Sequence, residues 1–403
     1  MKHISFKVLL VVFAGCTFAA EEWPQFLGPN RDGSVAAPGL FDGEVALERI
    51  WIQPMGFGYS GITVGGGKLY SMYTDAEMDV LSCFDAATGK KLWSHEYGAS
   101  LTKLGGNERG PLSTPVLDGS RVYSVGARGE LFCLQANGGN QVWVRDLVKE
   151  LGAAPSDHGI ATSPLISGDL LILNVGGGKD KGVAAFHKKT GELAWHLGAE
   201  KITYQSPSLV TQMGRKQVVA LSANMMRGIE PATGQVIWEN AYKGGVLMIA
   251  IGDNLMLSDY LFGFSLHRLA TAADNTGGRR IEVKEVWDTQ HLELGYDIPV
   301  HYKGYLYGFK GAFMNCLKLE TGEKVWSSRK AGKGLAILAD GHLAILSRDG
   351  RFRIVRASRK GYEERASIKV FEKSGITEPS YADRVFYMRN YTHMAAVRVK
   401  ELN

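Results

Sequence analysis

The sequence predicts an all-β fold, an eight-bladed β-propeller whose blades are four-stranded antiparallel sheets. Seven of the eight tryptophans recur roughly 40 to 50 residues apart, the length of four short strands with their turns. An apolar strand and a Thr-Gly turn precede most of these tryptophans. The last repeat is one strand short, and a single strand that can complete it lies near the N-terminus. The seven tryptophans are Trp51, Trp93, Trp143, Trp195, Trp238, Trp287 and Trp326.

The clearest copy of the repeat is residues 84–93, Phe-Asp-Ala-Ala-Thr-Gly-Lys-Lys-Leu-Trp. An apolar strand runs into a Thr-Gly turn, and the next strand carries the tryptophan. Because glycine adopts the positive φ of a tight turn without steric cost, each copy predicts a hairpin between the last two strands of a blade. Further copies of the turn lie at residues 136–139, 189–191, 232–234 and 320–322.

Two blades are expected to depart from this pattern. The fifth blade reaches its tryptophan strand through an insertion at residues 270–280. In the seventh blade, Tyr362 stands where the tryptophan belongs. We therefore expect the seventh unit to be degenerate.

The two ends of the chain are expected to complete each other. The final unit supplies only three strands, whereas residues 50–52 form an isolated strand around Trp51. Pairing that strand with the last unit closes the ring and removes exposed sheet edges. We assign residues 45–403 to the propeller and residues 21–44 to an ordered extended arm, because a disordered tail rarely carries Trp and Phe.

Residues 1–20 have the pattern of an export signal. Lys2 and Lys7 precede an apolar stretch at residues 8–14, and small residues follow before Glu21. The stretch is too short to span a bilayer, so no transmembrane span is expected in the mature chain. Residues 13–16 also resemble a lipobox ending at Cys16, which leaves soluble and lipid-anchored forms open. We expect an exported protein of the periplasm or cell envelope.

Composition narrows the choice of partners. The net charge of +5 is spread along the 403 residues without a block of like charge, so nucleic acid is not expected as a partner.

Cys83, Cys133 and Cys316 occupy equivalent blade positions, which lie far apart in a ring. They are therefore expected to be buried core residues rather than disulfide partners. The ten histidines show no metal-binding spacing, so no metal site is expected. We expect the protein to be a monomer.

The repeat resembles that of the PQQ-like, or quinoprotein alcohol dehydrogenase-like, β-propeller family, whose pattern is Ala-x-Thr-Gly-x-x-x-Trp. The resemblance covers nearly all of residues 45–400. Residues 23–33, Trp-Pro-Gln-Phe-Leu-Gly-Pro-Asn-Arg-Asp-Gly, match the start of exported BamB-like propellers. The resemblance implies an eight-bladed propeller and, in the BamB-like branch, a role in outer-membrane protein assembly.

Enzymes of the family imply a different function. They use pyrroloquinoline quinone (PQQ) with calcium beneath a pair of adjacent cysteines, and this sequence has no adjacent cysteine pair. The leading hypothesis is therefore a non-enzymatic scaffold that needs no cofactor and binds an envelope or extracellular protein or a polysaccharide. The alternative is a PQQ-dependent quinoprotein dehydrogenase acting on an alcohol or sugar. A third hypothesis is carbohydrate binding without turnover, through Tyr59, Tyr204 and Tyr296.

A binding site is expected where loops enter the innermost strands, because those loops meet at the mouth of the central channel. The competing interpretation is that these polar groups only satisfy one another. Asp157 and His158 are adjacent, so on a strand they would point to opposite faces, and no catalytic residue is assigned. The candidate ligand-binding residues are Tyr59, Arg109, Asp157, His158, Tyr204, Gln205, Tyr296, Asp297, Lys333 and Glu378.

Overall fold

A computed structural model describes most of the chain. The described residues are 22–101, 110–156, 158–198, 204–212, 214–222, 224–242, 245–259, 263–273, 279–293, 298–372 and 377–402. They form eight antiparallel sheets of four strands, and one of these sheets gains a fifth, parallel strand from the N-terminal arm. The predicted fold class is confirmed.

The N-terminal strands β1 (Ser34–Val35) and β2 (Glu44–Pro54) join sheets formed by the far end of the chain. Blade one contains β3 (Thr63–Gly65), β4 (Lys68–Asp75), β5 (Met78–Asp85) and β6 (Lys91–Ala99). Blade two contains β7 (Val116–Asp118), β8 (Arg121–Val125), β9 (Glu130–Gln135) and β10 (Gln141–Asp146), followed by the short helix α1 (Leu147–Leu151).

Blades three to five continue the same order. Blade three contains β11 (Leu165–Ser167), β12 (Leu170–Gly177), β13 (Lys181–His187) and β14 (Leu193–Leu197). Blade four contains β15 (Ser208–Gln212), β16 (Arg215–Leu221), β17 (Met225–Ile229) and β18 (Val236–Ala241). Blade five contains β19 (Gly245–Ile251), β20 (Asn254–Asp259), β21 (Gly263–Ala273) and β22 (Arg279–Thr289).

The last three blades complete the ring. Blade six contains β23 (Val300–Tyr302), β24 (Tyr305–Lys310), β25 (Phe313–Lys318) and β26 (Lys324–Ser328). Blade seven contains β27 (Gly334–Ala339), β28 (His342–Ser347), β29 (Arg351–Arg356) and β30 (Glu364–Lys369). Blade eight contains β31 (Ser380–Ala382), β32 (Val385–Arg389) and β33 (His393–Leu402).

Strand β2 supplies the fourth strand of blade eight. It pairs antiparallel with β33 from Glu44 opposite Leu402 to Pro54 opposite His393, with a bulge before Trp51. The bulge places Trp51 opposite Ala396, as the other tryptophans lie opposite the third strands of their own blades. The predicted closure by an N-terminal strand is thus confirmed.

The tryptophans join neighbouring blades. Six of them donate their indole N–H to a backbone carbonyl in the next blade, at distances of 2.8 to 3.1 Å between Nε1 and O. Because each indole is amphipathic, it fills an apolar gap between sheets and also satisfies a carbonyl at the next turn. The pairs are Trp51 with Ala86, Trp93 with Ala136, Trp143 with Lys188, Trp195 with Pro231, Trp287 with Leu319, and Trp326 with Ser358.

Trp238 departs from this scheme. Its Nε1 donates to Oε1 of Gln217 in the same blade at 2.7 Å. The next blade has a long β-hairpin, β21 with β22, in place of a Thr-Gly turn. Gly228 makes the arrangement fit, because a Cβ there would lie only 2.1 Å from the indole nitrogen.

One local prediction is refined and one is wrong. The insertion expected at residues 270–280 lengthens two strands, since β21 and β22 stay paired from Ala270 opposite Glu282 to Ala273 opposite Arg279. In blade seven, Ala366 occupies the tryptophan position, opposite Ile354 and beside the bulge. Tyr362 lies in the preceding turn, and its hydroxyl hydrogen bonds to Glu364 at 2.5 Å. The longer turn shifts the register, which residue spacing alone does not reveal.

Cys83, Cys133 and Cys316 are buried and free, as predicted. Each lies opposite the tryptophan of its own blade. Burial raises the pKa of the Cys133 and Cys316 thiols to about 11, which keeps them protonated and unreactive at neutral pH. These cysteines are core residues between blades.

The turn glycines support the tryptophans by leaving room for them. Gly191 has φ +76°, and a Cβ there would lie 2.7 Å from the Trp143 ring. Gly168 in the same blade has φ +59°, but a Cβ at that residue would meet no atom within 4 Å. We expect Gly168→Ala to cost about 1 to 2 kcal/mol from backbone strain alone. Gly191→Ala adds the steric clash, so we expect it to cost about twice as much.

Chemical denaturation of the two variants measures this difference. Gly168→Ala is the control because it shares the left-handed backbone but not the ring contact. Equal losses of unfolding free energy in both variants would show that the Trp143 contact contributes nothing to the requirement for glycine at residue 191.

Candidate functional site

The innermost strands surround the central channel and define two faces of the ring. First strands of adjacent blades contact each other, for example β3 with β7 and β3 with β31. We call the side where loops lead into these strands the mouth face, and the side where the strands leave through hairpin turns the arm face. The predicted site residues that the structure describes precede the first strands, so they belong to the mouth face.

The N-terminal arm, residues 22–44, lies across the arm face. Trp23 exchanges backbone hydrogen bonds with Val64 of blade one, and the Pro24 carbonyl accepts one from Leu117 of blade two. Leu27 packs into the core between blades five and six, and β1 pairs in parallel with β27 of blade seven. Because these contacts lie on opposite sides of the ring, the arm crosses the channel axis and covers that end of the channel.

Arg31 anchors the middle of the arm. Its side chain is buried, with Nη1 donating to the carbonyl of Pro164 at 3.1 Å and Nη2 to that of Ser163 at 3.3 Å. Nη1 also reaches Oε1 of Gln25 at 3.2 Å. Burial lowers the pKa of the guanidinium to about 9, which still leaves it charged at neutral pH. The sequence pattern included Arg31 but gave no sign of this role.

Hydroxyl side chains connect the first strands at the mouth face. The Gly61 N–H donates to Oγ1 of Thr114 at 3.1 Å, and the Thr114 N–H donates to Oγ of Ser163 at 3.0 Å. The Ser163 N–H in turn donates to Oγ of Ser206 at 2.8 Å. Sequence reasoning missed these residues, although Ser or Thr directly before Pro115, Pro164 and Pro207 is a repeated signal.

Several polar groups beside this hydroxyl chain are buried without partners. Gln205 is 1% exposed, and neither its Oε1 nor its Nε2 has a hydrogen-bond partner among the described residues. The same holds for Oγ of Ser113 and Oγ1 of Thr162. Buried polar atoms of this kind are uncommon and are usually satisfied by a ligand or by water. The channel near blades two to four is therefore a polar environment.

The mouth face brings two predicted residues together. Nδ1 of His158 lies 3.1 Å from the Tyr204 hydroxyl, and the two rings meet edge to face at 5.6 Å. His158 is exposed and Tyr204 half-buried. Within the described chain, no Ser or Cys side chain is hydrogen bonded to His158 or Tyr204.

The other predicted residues are distributed around the ring. Lys333 forms an ion pair with Glu293 at 2.9 Å, and Glu293 also accepts from the Gly311 N–H at 2.7 Å. Glu378 is half-buried just before β31. Arg109, Asp157, Tyr296 and Asp297 lie outside the described residues.

Tyr59 belongs to an aromatic trio with Phe57 and Tyr391. The rings of Phe57 and Tyr391 stack with centroids 5.0 Å apart and planes 3° apart. Tyr59 meets both edge to face, at 5.4 and 5.6 Å. All three side chains are half-buried. Two of the trio were missed from the sequence, because Tyr391 lies in the last turn of the chain and is far from Phe57 in sequence.

PQQ with calcium requires a cluster of carboxylate and carbonyl oxygens for the metal. Within the described ranges, no group of three or more His, Cys, Asp or Glu side chains could hold a metal ion. The channel residues described above supply hydroxyls and amides instead. These residues do not fit PQQ with calcium. The helical structure within the same ranges contains no segment long and apolar enough to span a membrane.

Comparison with known proteins relates this geometry to a family. A family model described as outer membrane protein assembly factor BamB matches residues 76–247. The chain is 22% identical over 259 residues to BamB of Moranella endobia, covering 59% of this chain and 62% of that protein. It thus spans less than two thirds of that relative. Against BamB of Shewanella oneidensis it is 23% identical over 312 residues, 73% of this chain and 70% of that protein.

Structural comparison supports the same relationship at the level of the fold. The crystal structure of BamB from Moraxella catarrhalis matches with a TM-score of 0.61 and 15% identity, over 87% of this chain and 99% of that one. At this identity the match shows the fold alone. The chain resembles the outer membrane protein assembly factor BamB in sequence and in architecture.

Proposed function

We propose that this protein is an exported, non-enzymatic scaffold that binds a partner protein of the cell envelope during outer-membrane protein assembly. One observation carries the proposal. The protein's own arm covers the arm face, whereas the mouth face presents the half-buried aromatic trio of Phe57, Tyr59 and Tyr391. Aromatic side chains that are partly exposed and held rigidly by one another are typical anchors of protein interfaces.

The names of the relatives support the assembly role, and the sequence supports export. We propose residues 1–20 as the signal, residues 21–44 as the arm and residues 45–403 as the propeller. In the alternative lipid-anchored form the signal ends before Cys16, and the five residues between Cys16 and Glu22 allow a reach of about 20 Å. That tether holds the arm face toward the membrane and leaves the mouth face accessible to a partner.

The proposed contact surface combines the aromatic trio with the predicted mouth residues. Exposed His158 and half-buried Tyr204 add a polar and aromatic pair, while Lys333 and Glu378 contribute charge at other blades. Gln205 lies beneath this surface in the polar channel. Arg109, Asp157, Tyr296 and Asp297 are proposed as contacts from their sequence positions alone.

Site-specific photo-crosslinking in living cells tests the proposal. A photoreactive residue at position 391 is expected to capture an envelope protein, and Phe57→Ala should weaken that capture about tenfold or more. A probe at exposed residue 360 on the arm face is the matched control and should not capture the same protein. Capture only at residue 360, or retention of PQQ with dye-linked dehydrogenase activity after adding PQQ and calcium, would contradict the proposal.

A further inference from the structure

The turn between the last two strands of blade two differs from the other copies of the repeat. It runs through Asn137, Gly138 and Gly139, and the sequence contains no second Asn-Gly pair. Asn137 and Gly138 are exposed, and Gly138 has φ +105°. This turn takes no part in the proposed scaffold function. In four other copies a threonine directly precedes the turn glycine, namely Thr88, Thr190, Thr233 and Thr321.

An asparagine that is followed by glycine has a reactive side chain. The backbone nitrogen of the following residue attacks Cγ of the asparagine, a five-membered succinimide forms, and the side-chain nitrogen leaves as ammonia together with the proton of the attacking N–H. Glycine favours the attack because it has no Cβ to obstruct it. Because both groups belong to one chain, their proximity replaces a bimolecular encounter. Water then opens the ring at either carbonyl and leaves aspartate or isoaspartate.

The attacking nitrogen of Gly138 is available. Its N–H donates to no group in the part of the chain that the structure describes. The turn is held by its neighbours, since the Gly139 N–H donates to the Gln135 carbonyl at 3.0 Å. A Cβ on Gly138 would meet no atom closer than Nδ2 of Asn140, at 3.7 Å. The Gly138 nitrogen can therefore approach the side chain of Asn137 without losing a hydrogen bond of its own.

Lys68 of blade one activates the carbonyl that is attacked. It is the first residue of β4, and its Nζ donates to Oδ1 of Asn137 at 2.7 Å. Attack at Cγ moves the carbonyl electron pair onto Oδ1, which becomes an oxyanion. A cation already hydrogen bonded to that oxygen stabilises the oxyanion as it forms. The structure thus adds to the Asn-Gly pair an electrophilic contact that the local sequence does not show.

The reaction would alter the contact between blades one and two. On one side of Asn137, the Ala136 carbonyl accepts from Nε1 of Trp93 at 3.1 Å. On the other side, a Cβ on Gly139 would lie 2.5 Å from the Trp93 ring. Isoaspartate inserts one methylene into the main chain between these two contacts, so the turn can no longer fit Trp93 in the same way. Aspartate keeps the length of the main chain and gives Lys68 a carboxylate partner.

We propose that Asn137 is a site of spontaneous deamidation that is promoted by Lys68, and that the isoaspartate formed there loosens the contact between blades one and two.

Mass spectrometry of the full mature protein, incubated at mildly alkaline pH and then digested with trypsin, tests the chemistry. The peptide that carries Asn137 is expected to gain about 1 Da, because –OH replaces –NH2. Electron-based fragmentation distinguishes isoaspartate from aspartate. The rate should rise with pH, since the attacking nitrogen must lose its proton. Asn140 lies in the same peptide, is exposed and precedes Gln141, so it is an internal control and should keep its amide.

Two variants of half-buried Lys68 test the activation. Lys68→Met keeps much of the side-chain length but removes the charge, so deamidation should slow by at least about threefold. Lys68→Arg keeps a cation and should retain most of the rate. A thermal melt of each fresh variant checks its folding. A rate at Asn137 no higher than at Asn140, or an unchanged rate in Lys68→Met, would overturn the proposal.

The melting of aged protein tests the structural consequence. Protein enriched in isoaspartate at residue 137 is expected to melt at a lower temperature than fresh protein. Asn137→Asp carries the same charge without the added methylene and is the matched control, so it should melt as fresh protein does. Identical melting of the isoaspartate form and the fresh protein would show that the turn does not loosen the contact with Trp93.

Discussion

Deletion of residues 22–54 is expected to abolish cooperative unfolding of the propeller. The deletion removes β2, which pairs with β33 along its whole length, and Trp51, whose indole joins blade eight to Ala86 of blade one. Blade eight would then expose the edge of its sheet at β33, on the side where blade eight meets blade one. Circular dichroism and calorimetry should show a broad transition or none, in place of a single sharp one.

A shorter deletion provides the control. Removal of residues 22–42 leaves β2 intact but eliminates Arg31 and the other arm contacts. This variant should melt at a lower temperature and still unfold in one transition, because the ring remains closed. If both deletions abolish cooperativity, the arm rather than the closing strand holds the ring together. If neither does, the closing strand is dispensable.

Arg389→Met is expected to destabilise the protein by about 3 to 5 kcal/mol. Arg389 at the end of β32 is fully buried, and its Nη1 donates to the carbonyls of Ser60 and Met72 at 3.2 and 2.9 Å. Nη1 also donates to Oγ of Ser71 at 3.0 Å. Methionine fills much of the space but leaves these buried acceptors in blade one unpaired. Denaturant unfolding measures the loss.

Two further variants establish whether the planar guanidinium is needed. Arg389→Lys keeps the charge but cannot donate from several nitrogens at once, so it should recover little of the lost stability. Arg398→Met changes an exposed arginine on the adjacent strand and should alter stability by no more than about 0.5 kcal/mol. Full recovery with lysine would refute the view that the hydrogen-bond geometry, rather than the charge, stabilises this seam.

The same seam carries the proposed binding surface. Arg389 immediately precedes the turn that contains Tyr391, and its Nη2 donates to the Gly56 carbonyl next to Phe57 at 3.3 Å. Ring closure and presentation of the aromatic trio therefore share one set of contacts. Variants of Arg389 should be checked for folding before any loss of partner binding is assigned to the surface.

The short-range sequence pattern of the repeat was sufficient to predict much of the fold. The Thr-Gly-x-x-x-Trp spacing predicts the hairpin and the inter-blade tryptophan, because a left-handed turn residue and a strand period are both encoded over about ten residues. The isolated strand around Trp51 predicts how the ring closes. Where the turn changed length, as before Ala366, the same reasoning placed Tyr362 wrongly.

The candidate site was predicted only in part. The sequence identified Tyr59, His158 and Tyr204 as residues that precede first strands, but it could not pair Tyr59 with Tyr391 or His158 with Tyr204. Their contacts depend on how the blades pack around the axis. The hydrogen bond from Lys68 to Asn137 likewise joins two blades and residues that are distant in sequence.

The sequence by itself determined the blade repeat, the closing strand and the buried cysteines, since each follows from a short-range pattern of apolar residues and turns. Only the tertiary structure decided that the arm covers one face, that Arg31 reaches Ser163, and that Arg389 reaches Ser60. These contacts join residues more than a hundred positions apart. Their stability comes from satisfying buried donors and acceptors across blades, and no local pattern records which distant carbonyl an arginine will meet.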